Sequence, residues 1–344
     1  MKKKTCRVLC IDGGGIRGIF PAKFLAELEG ELTARGNEKQ QVFQHFDLIT
    51  GTSTGGILAI GLALGIPAIK LYQLYRENAR KIFGSKRGIL KQLQYSAHDR
   101  GHLEMLLQEE FRAVNGGVDP RLGDCKTGVC VPVYDLMEGR ASMLKSRYHS
   151  AFNRDYHIPA YQAALATEAA PTFFDPYTSG YTDLKGIYQT FSNKVDGGVF
   201  ANNPTLSAII EAQKAFEVGL SELQVLSIGT GHQKFNDACT RSKWGILYWI
   251  NPRRKRIIDL FMQGQSQQVQ NLISLLQKGI DKQEGENFLY TRIDTELDET
   301  CRIELDETSS IKLDKLAEKA QKAFQDRGNA VLNHFFTLHG VEAV

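Results

Sequence analysis

Phe46-Asp47-Leu48-Ile49, a short strand-like run, leads through Thr50 into Gly51-Thr52-Ser53-Thr54-Gly55 and then into Gly56-Ile57-Leu58-Ala59-Ile60-Gly61-Leu62-Ala63-Leu64. This is the sequence form of a nucleophile elbow. A serine at a sharp strand-to-helix turn needs neighbours without bulk, because the backbone is strained and side chains at the glycine positions would strike the strand and the helix. Ser53 would stand clear of the backbone, and the helix that follows would aim its N-terminus, with free amides and partial positive charge, at a developing oxyanion. Taken alone, the stretch also fits a tight turn with a serine N-cap, since Gly-x-Ser-x-Gly strings arise by chance.

Upstream, Arg7-Val8-Leu9-Cys10-Ile11 reads as a fully buried strand, and Asp12-Gly13-Gly14-Gly15-Ile16-Arg17-Gly18 as the loop at its carboxyl end. Phe20, Phe24, Leu25, Leu28 and Leu32 recur at helical spacing up to Gly36. Strand, glycine loop, helix and strand form a βαβ unit, which implies a parallel sheet with ligands at the carboxyl ends of its strands. Gly13-x-Gly15-x-x-Gly18 also fits the dinucleotide fingerprint, but Asp47 precedes Leu48-Ile49 instead of closing a second strand. The better reading is a row of backbone N–H groups forming an oxyanion hole, Gly13, Gly14, Gly15 and Gly18, with Arg17 adding positive charge near a substrate's negative head.

Downstream, the spacing predicts helices over 69–83, around Leu103–Phe111 and over 159–169, and strands over 128–136 and 141–147. The basic run 85–94 suits a solvated loop or a lid. Lys194-Val195-Asp196-Gly197-Gly198 ends a strand on an aspartate, which puts Asp196 in the same crevice as Ser53. Asn203 and Pro204 open a helix as N-cap and first residue. Leu223 to Ile228 is a further buried strand, closed by Gly229-Thr230-Gly231-His232. Past Gln233 the character changes: Trp244 and Trp249 adjoin Arg253-Arg254-Lys255-Arg256, and helices over 257–278 and 310–324 flank a short strand over 288–293. These features divide the chain into a catalytic domain, 5–232, and a mostly helical extension packed on it, 233–344.

A chain of 344 residues, 42% hydrophobic and 24% charged, can bury a sizeable core. Its net charge of +3 is too small to argue for a nucleic acid polymer as partner. The apolar run after Lys2-Lys3-Lys4 is cut off by Asp12, and the longest mostly apolar stretch, 57–69, contains Pro67 and falls short of the ~20 residues a membrane span needs. Cys6, Cys10, Cys125, Cys130, Cys239 and Cys301 include no Cys-x-x-Cys pair, so they read as reduced cysteines of a cytoplasmic protein, with neither a disulfide framework nor a zinc site.

Four motifs in this order, Asp12-Gly-Gly-Gly-Ile-Arg-Gly18, Gly51-Thr-Ser-Thr-Gly55, Ala169-Ala-Pro-Thr-Phe-Phe174 and Asp196-Gly-Gly198, resemble the patatin-like phospholipase family over about two thirds of the chain. The resemblance implies a three-layer α/β/α fold with a mainly parallel central sheet. It implies an acyl hydrolase with Ser53 as nucleophile, Asp196 as its partner, the Gly13-Gly14-Gly15 loop as oxyanion hole, and neither metal nor other cofactor. Membrane glycerophospholipid would be the substrate, met at the inner face of the membrane. Some bacterial enzymes of this kind are defence effectors switched on by cyclic nucleotides, which would give the extension a purpose.

A serine hydroxyl is a poor nucleophile until a neighbouring base takes its proton, and a partly desolvated carboxylate within hydrogen-bond reach can do so. The order Ser53, Asp196, His232 equally suits the triad of a soluble esterase, so dyad and triad both stand at this point. A lipid-binding or storage protein on the same fold is the third class; intact Ser53 and Asp196 argue against it. The Trp244–Arg256 stretch suits an anionic membrane surface, a phosphorylated regulator, or a helix with a solvated basic face.

Overall fold

Alternation within one strand sets the layers. The structure, a computed structural model, describes residues 5–84, 86–88, 91–233, 244–250, 256–280, 288–298 and 301–336. In β1 (Cys6–Ile11) all six residues are buried, Leu9 and Ile11 against one apolar core and Cys6, Val8 and Cys10 against another, as the two-residue period of a strand covered on both faces requires. The larger core takes α1 (Ile19–Ala34), whose Phe20, Phe24, Leu25, Leu28 and Leu32 are all buried. After β2 (Leu48–Gly51) comes α2 (Thr54–Leu64), buried on every side, consistent with its unbroken apolar sequence. The amphipathic helices α3 (Ala68–Phe83) and α4 (Gly101–Ala113) close that layer.

β3 (Gly128–Asp135) is followed by β4 (Arg140–Lys145), α5 (Ala160–Thr167), β5 (Tyr177–Thr182) and β6 (Tyr188–Asp196), then by a single turn, α6 (Gly198–Ala201), and by α7 (Thr205–Phe216) and β7 (Leu223–Ile228). The sheet order is β5-β6-β3-β2-β1-β7, with β4 also on β3. β3, β2, β1 and β7 run parallel, and β4, β5 and β6 are antiparallel. The polar segment Tyr-Thr-Ser-Gly-Tyr-Thr of β5 has no apolar alternation, which is why the sequence does not announce it. α7 begins one residue later than its cap signal suggested: Pro204 sits at the N-cap, and Asn203 Oδ1 accepts from the Thr205 N–H at 3.0 Å.

In the part expected to be an extension, α8 (Ile246–Trp249) and α9 (Arg256–Ile280) precede β8 (Leu289–Ile293) and α10 (Ser310–Phe335). β8 continues the central sheet, parallel to β7 and in register from Gln224↔Leu289 to Ile228↔Ile293. α10 enters the larger core, where Phe324 meets Phe24 edge-on and Phe335 stacks on Phe46. α9 lays Val269 and Ile273 on the opposite core beside α7. Five parallel strands between two helical layers, with an antiparallel wing, make a three-layer α/β/α architecture. No helix among the described residues is long and apolar enough to cross a membrane. Cys10, Cys125, Cys130 and Cys301 are free; Cys239 lies outside the described residues.

Candidate active site

The turn between β2 and α2 is strained at one residue. Ser53 has φ 56° and ψ −127° at the N-cap of α2, a conformation that a non-glycine residue adopts only where its surroundings enforce it. They do. The Ser53 N–H donates to Thr167 Oγ1 (3.2 Å), which in turn donates to the Pro132 carbonyl (2.8 Å), and Thr52 Oγ1 donates to the Ala201 carbonyl (2.6 Å). Gly55 has to be glycine because a Cβ there would run into the carbonyl oxygens of Ile11 and Asp12 at the end of β1. The elbow is thus wedged against the central strand, with Ser53 only 5% exposed.

Ser53 lines an apolar pocket of about 140 Å³ walled by Phe83, Phe173, Phe174, Ile258 and Phe261. Two carboxyl groups share the pocket floor. Asp196, at the end of β6, is 4% exposed, and its Oδ1 accepts from the Gly198 N–H at 2.6 Å. Burial raises its pKa to about 7, against the downward pull of the Ser53 hydroxyl and the Gly198 N–H. Glu168, just past α5, is 3% exposed, and its Oε2 accepts the Ser53 Oγ hydrogen bond at 3.1 Å. Burial, and then the neighbouring Asp196, push its pKa well above the ordinary glutamate value. Sequence reading passed over Glu168; the available signal was a lone charge closing the small-residue run Ala163–Thr167.

The glycine loop lies against this pocket. Gly13 N–H is engaged by the Asn202 carbonyl (3.0 Å), and Gly18 is buried against Thr54. The N–H groups of Gly14 and Gly15 have no acceptor among the described residues, which leaves them as the free donors. Gly15 holds φ +55° with the Leu305 carbonyl where a side chain would stand, and the same carbonyl accepts from Ile16 N–H (2.9 Å).

Arg17 and His232 sit elsewhere. Both line a polar cavity of about 700 Å³ on the other side of the loop, where the Arg17 Nε donates to the Gly14 carbonyl at 3.4 Å. There Arg292 of β8 makes a bidentate pair with Asp12 (2.8 and 2.6 Å) and a third bond to Asp294 (2.9 Å). His232 Nδ1 faces Asp294 Oδ2 at 3.5 Å. The structure therefore brings Ser53, Asp196 and Gly15 together, sets Gly14 against Thr230, and leaves Arg17 and His232 outside the pocket that Ser53 lines. Of the basic run, Arg253, Arg254 and Lys255 lie outside the described residues; Arg256 donates to Tyr248 Oη (2.7 Å) and covers its ring.

The elbow serine and the glycine loop, at the carboxyl ends of the parallel strands β2 and β1, and a buried aspartate at the end of the antiparallel β6 meet on one α/β sheet. The family model for patatin-like phospholipases matches residues 9–209, and the chain belongs to that family. A cGAMP-activated phospholipase of Pseudomonas aeruginosa is 36% identical over 230 residues, 66% of this chain and 62% of its own length. One of Escherichia coli is 33% identical over 241 residues, 66% and 63%. Patatin-like protein 2 of rice is 33% identical over 291 residues, 76% and 70%. The matched part of the chain thus spans less than two thirds of the two bacterial relatives. A solved structure, VipD from Legionella pneumophila, aligns with 97% of this chain and 67% of its own at 13% identity and a TM-score of 0.44, a likeness too distant to bear on the site.

Proposed function

We propose that the protein is a serine acyl hydrolase that cleaves ester bonds of membrane glycerophospholipids and releases fatty acid. Ser53 attacks the acyl carbon, Asp196 takes its proton, and the N–H groups of Gly14 and Gly15 receive the oxyanion. The observation that carries this reading is the strained, buried Ser53 on the floor of an apolar pocket beside a carboxyl whose pKa lies near 7, where a base is half available at neutral pH. An acyl chain suits walls of phenylalanine and isoleucine better than any polar group would. Val199 and Phe261, at 50% and 65% exposure, line the pocket and also face outward, so its mouth is apolar, as contact with a lipid surface requires.

The names of the bacterial relatives support a cyclic nucleotide as activator; a role in antiphage defence rests on the sequence resemblance. The polar cavity is not an obvious seat for such an anion, because its described lining carries six carboxylates against four arginines. A soluble esterase with a His232 triad has less support, since His232 faces Asp294 across that cavity.

The test compares phosphatidylglycerol-containing vesicles with p-nitrophenyl butyrate, in the wild type, Ser53→Ala and Phe261→Ser. Ser53→Ala should lose at least about a thousandfold on both substrates. Phe261→Ser should lose several-fold on vesicles only. Retained hydrolysis in Ser53→Ala would end the reading, and a Phe261→Ser loss shared equally by the soluble ester would remove the membrane from it.

A further inference from the structure

Glu168 has no place in a two-residue mechanism, yet among the described residues it accepts the hydrogen bond that Ser53 Oγ donates, at 3.1 Å to Oε2. A structural carboxylate buried this deeply would be expected to have a cation or several N–H donors, as Glu29 has from Val42 (2.9 Å) and Ala68 (2.7 Å). Glu168 has the Ser53 hydroxyl instead and no ion pair among the described residues; burial and then Asp196 raise its pKa, and the hydroxyl and the more weakly acting charge of Arg100 lower it. It lies in the reaction pocket beside Asp196. Two buried carboxyls facing one hydroxyl cannot both be ionised, so one keeps a proton, and environments that push two acids apart assign them different roles. Asp196, supported by the Gly198 N–H, is the better placed to ionise, and burial with Asp196 beside it favours the protonated form of Glu168.

We propose that Glu168 is a second catalytic carboxyl group, which gives its proton to the departing alcohol oxygen in acylation and takes one from water in deacylation, while Asp196 handles the Ser53 proton. In acylation the Oγ–C bond forms and the ester C–O bond breaks; the Oγ proton passes to Asp196 and the Glu168 proton to the leaving oxygen. In deacylation the water oxygen bonds to the acyl carbon and the Oγ–C bond breaks; a water proton passes to Glu168 and the Asp196 proton returns to Oγ. Both carboxyls end as they began, and deacylation is the reverse of acylation with water in place of the alcohol, so one group serves as acid and then as base. The inference rests on the serine-hydrolase reading above.

Glu168→Gln keeps the oxygen that accepts from Ser53 but cannot release a proton. With p-nitrophenyl butyrate the leaving phenolate needs no proton. The variant should therefore give a burst of nitrophenol within about threefold of the wild-type acylation rate, then turn over ~100-fold more slowly as butyryl-Ser53 accumulates, visible in the intact-protein mass. With glyceryl butyrate it should lose ~100-fold without accumulating adduct. Unchanged turnover on both esters, or an equal loss on both without adduct, would overturn the assignment. Should Glu168→Gln fail to fold, the wild type alone decides. Its acylation rate with glyceryl butyrate should fall at high pH, where Glu168 loses its proton, and with the nitrophenyl ester it should not; matching alkaline limbs would overturn the proposal. If Ser53→Ala remained active the hydrolase reading itself would fall, whereas a Ser53-dependent enzyme indifferent to Glu168→Gln would lose only this inference.

Discussion

Two cavities flank the glycine loop, and each buries carboxyl groups to opposite effect. In the apolar pocket Asp196 has no cation, and burial lifts it to about 7. In the polar cavity burial also pushes Asp294 up, but the charge of Arg292, aided by His232, outweighs it and holds the carboxyl at about 2. The residue type is the same, and Asp294, at 15% side-chain exposure, is the less secluded of the two. The larger difference is the counter-charge, which leaves one aspartate titrating near neutrality and makes the other half of a clamp. The clamp also serves the fold. Arg292 on the edge strand β8 holds Asp12, the residue that opens the glycine loop, so this strand braces the loop.

The largest effect should come from breaking the clamp. Arg292→Ala would leave Asp12 and Asp294 buried without their cation, a change that costs about 3–5 kcal/mol when one partner of a buried pair is removed. Chemical denaturation should show that loss, together with reduced turnover from a loosened loop. A loss under about 1 kcal/mol would mean that the pair contributes little, and would erase the contrast between the two cavities.

The pocket should answer pH the other way. A carboxyl whose folded pKa lies above its unfolded value of ~3.9 binds more protons folded than unfolded, so its stabilising contribution is complete below pH ~4 and is lost as pH rises through 7. Removing that titration with Asp196→Asn should therefore stabilise the protein at pH 8 relative to wild type, by about 2–4 kcal/mol, and change little at pH 4. The same substitution should abolish hydrolysis, the trade expected where activity needs a destabilised group. Equal stability of the two proteins at pH 8 would show that Asp196 is not held against its preference.

Motifs made one side of this comparison legible and not the other. The placement of Ser53, Asp196 and the glycines was readable because an elbow, a strand ending in Asp-Gly-Gly and a glycine loop are local patterns; the βαβ unit sets the elbow beside the loop, and the antiparallel β6 returns Asp196 to them. The buried strand over 223–228 was readable from its apolar run, and the half-buried edge strand over 288–293 as a short strand. Arg292 was not, because its partner Asp12 lies 280 residues away and nothing in Leu-Tyr-Thr-Arg-Ile announces an ion pair. Glu168 was missed for a related reason: its contact with Ser53 depends on α5 ending against the start of α2, a packing fact. Arg17 was read toward the substrate from proximity in sequence, but the 3₁₀ turn Gly15–Gly18 rotates its side chain to the far side of the loop, onto the polar cavity.

The smallest effect separates dyad from triad. His232 completes the sequence order of a Ser-Asp-His triad, yet it lines the polar cavity, is exposed, and has Asp294 as its partner at 3.5 Å. That partner raises its pKa, which favours a charged imidazole, the wrong state for taking a proton from serine. His232→Ala should therefore change hydrolysis of a short ester by less than about twofold, and stability by no more than the ~0.5 kcal/mol typical of a partly exposed ion pair. A loss as deep as that of Ser53→Ala, in a protein that melts normally, would require His232 to reach Ser53 in the working enzyme. The two cavities would then be parts of one site, with Asp294 as the carboxylate that orients the histidine.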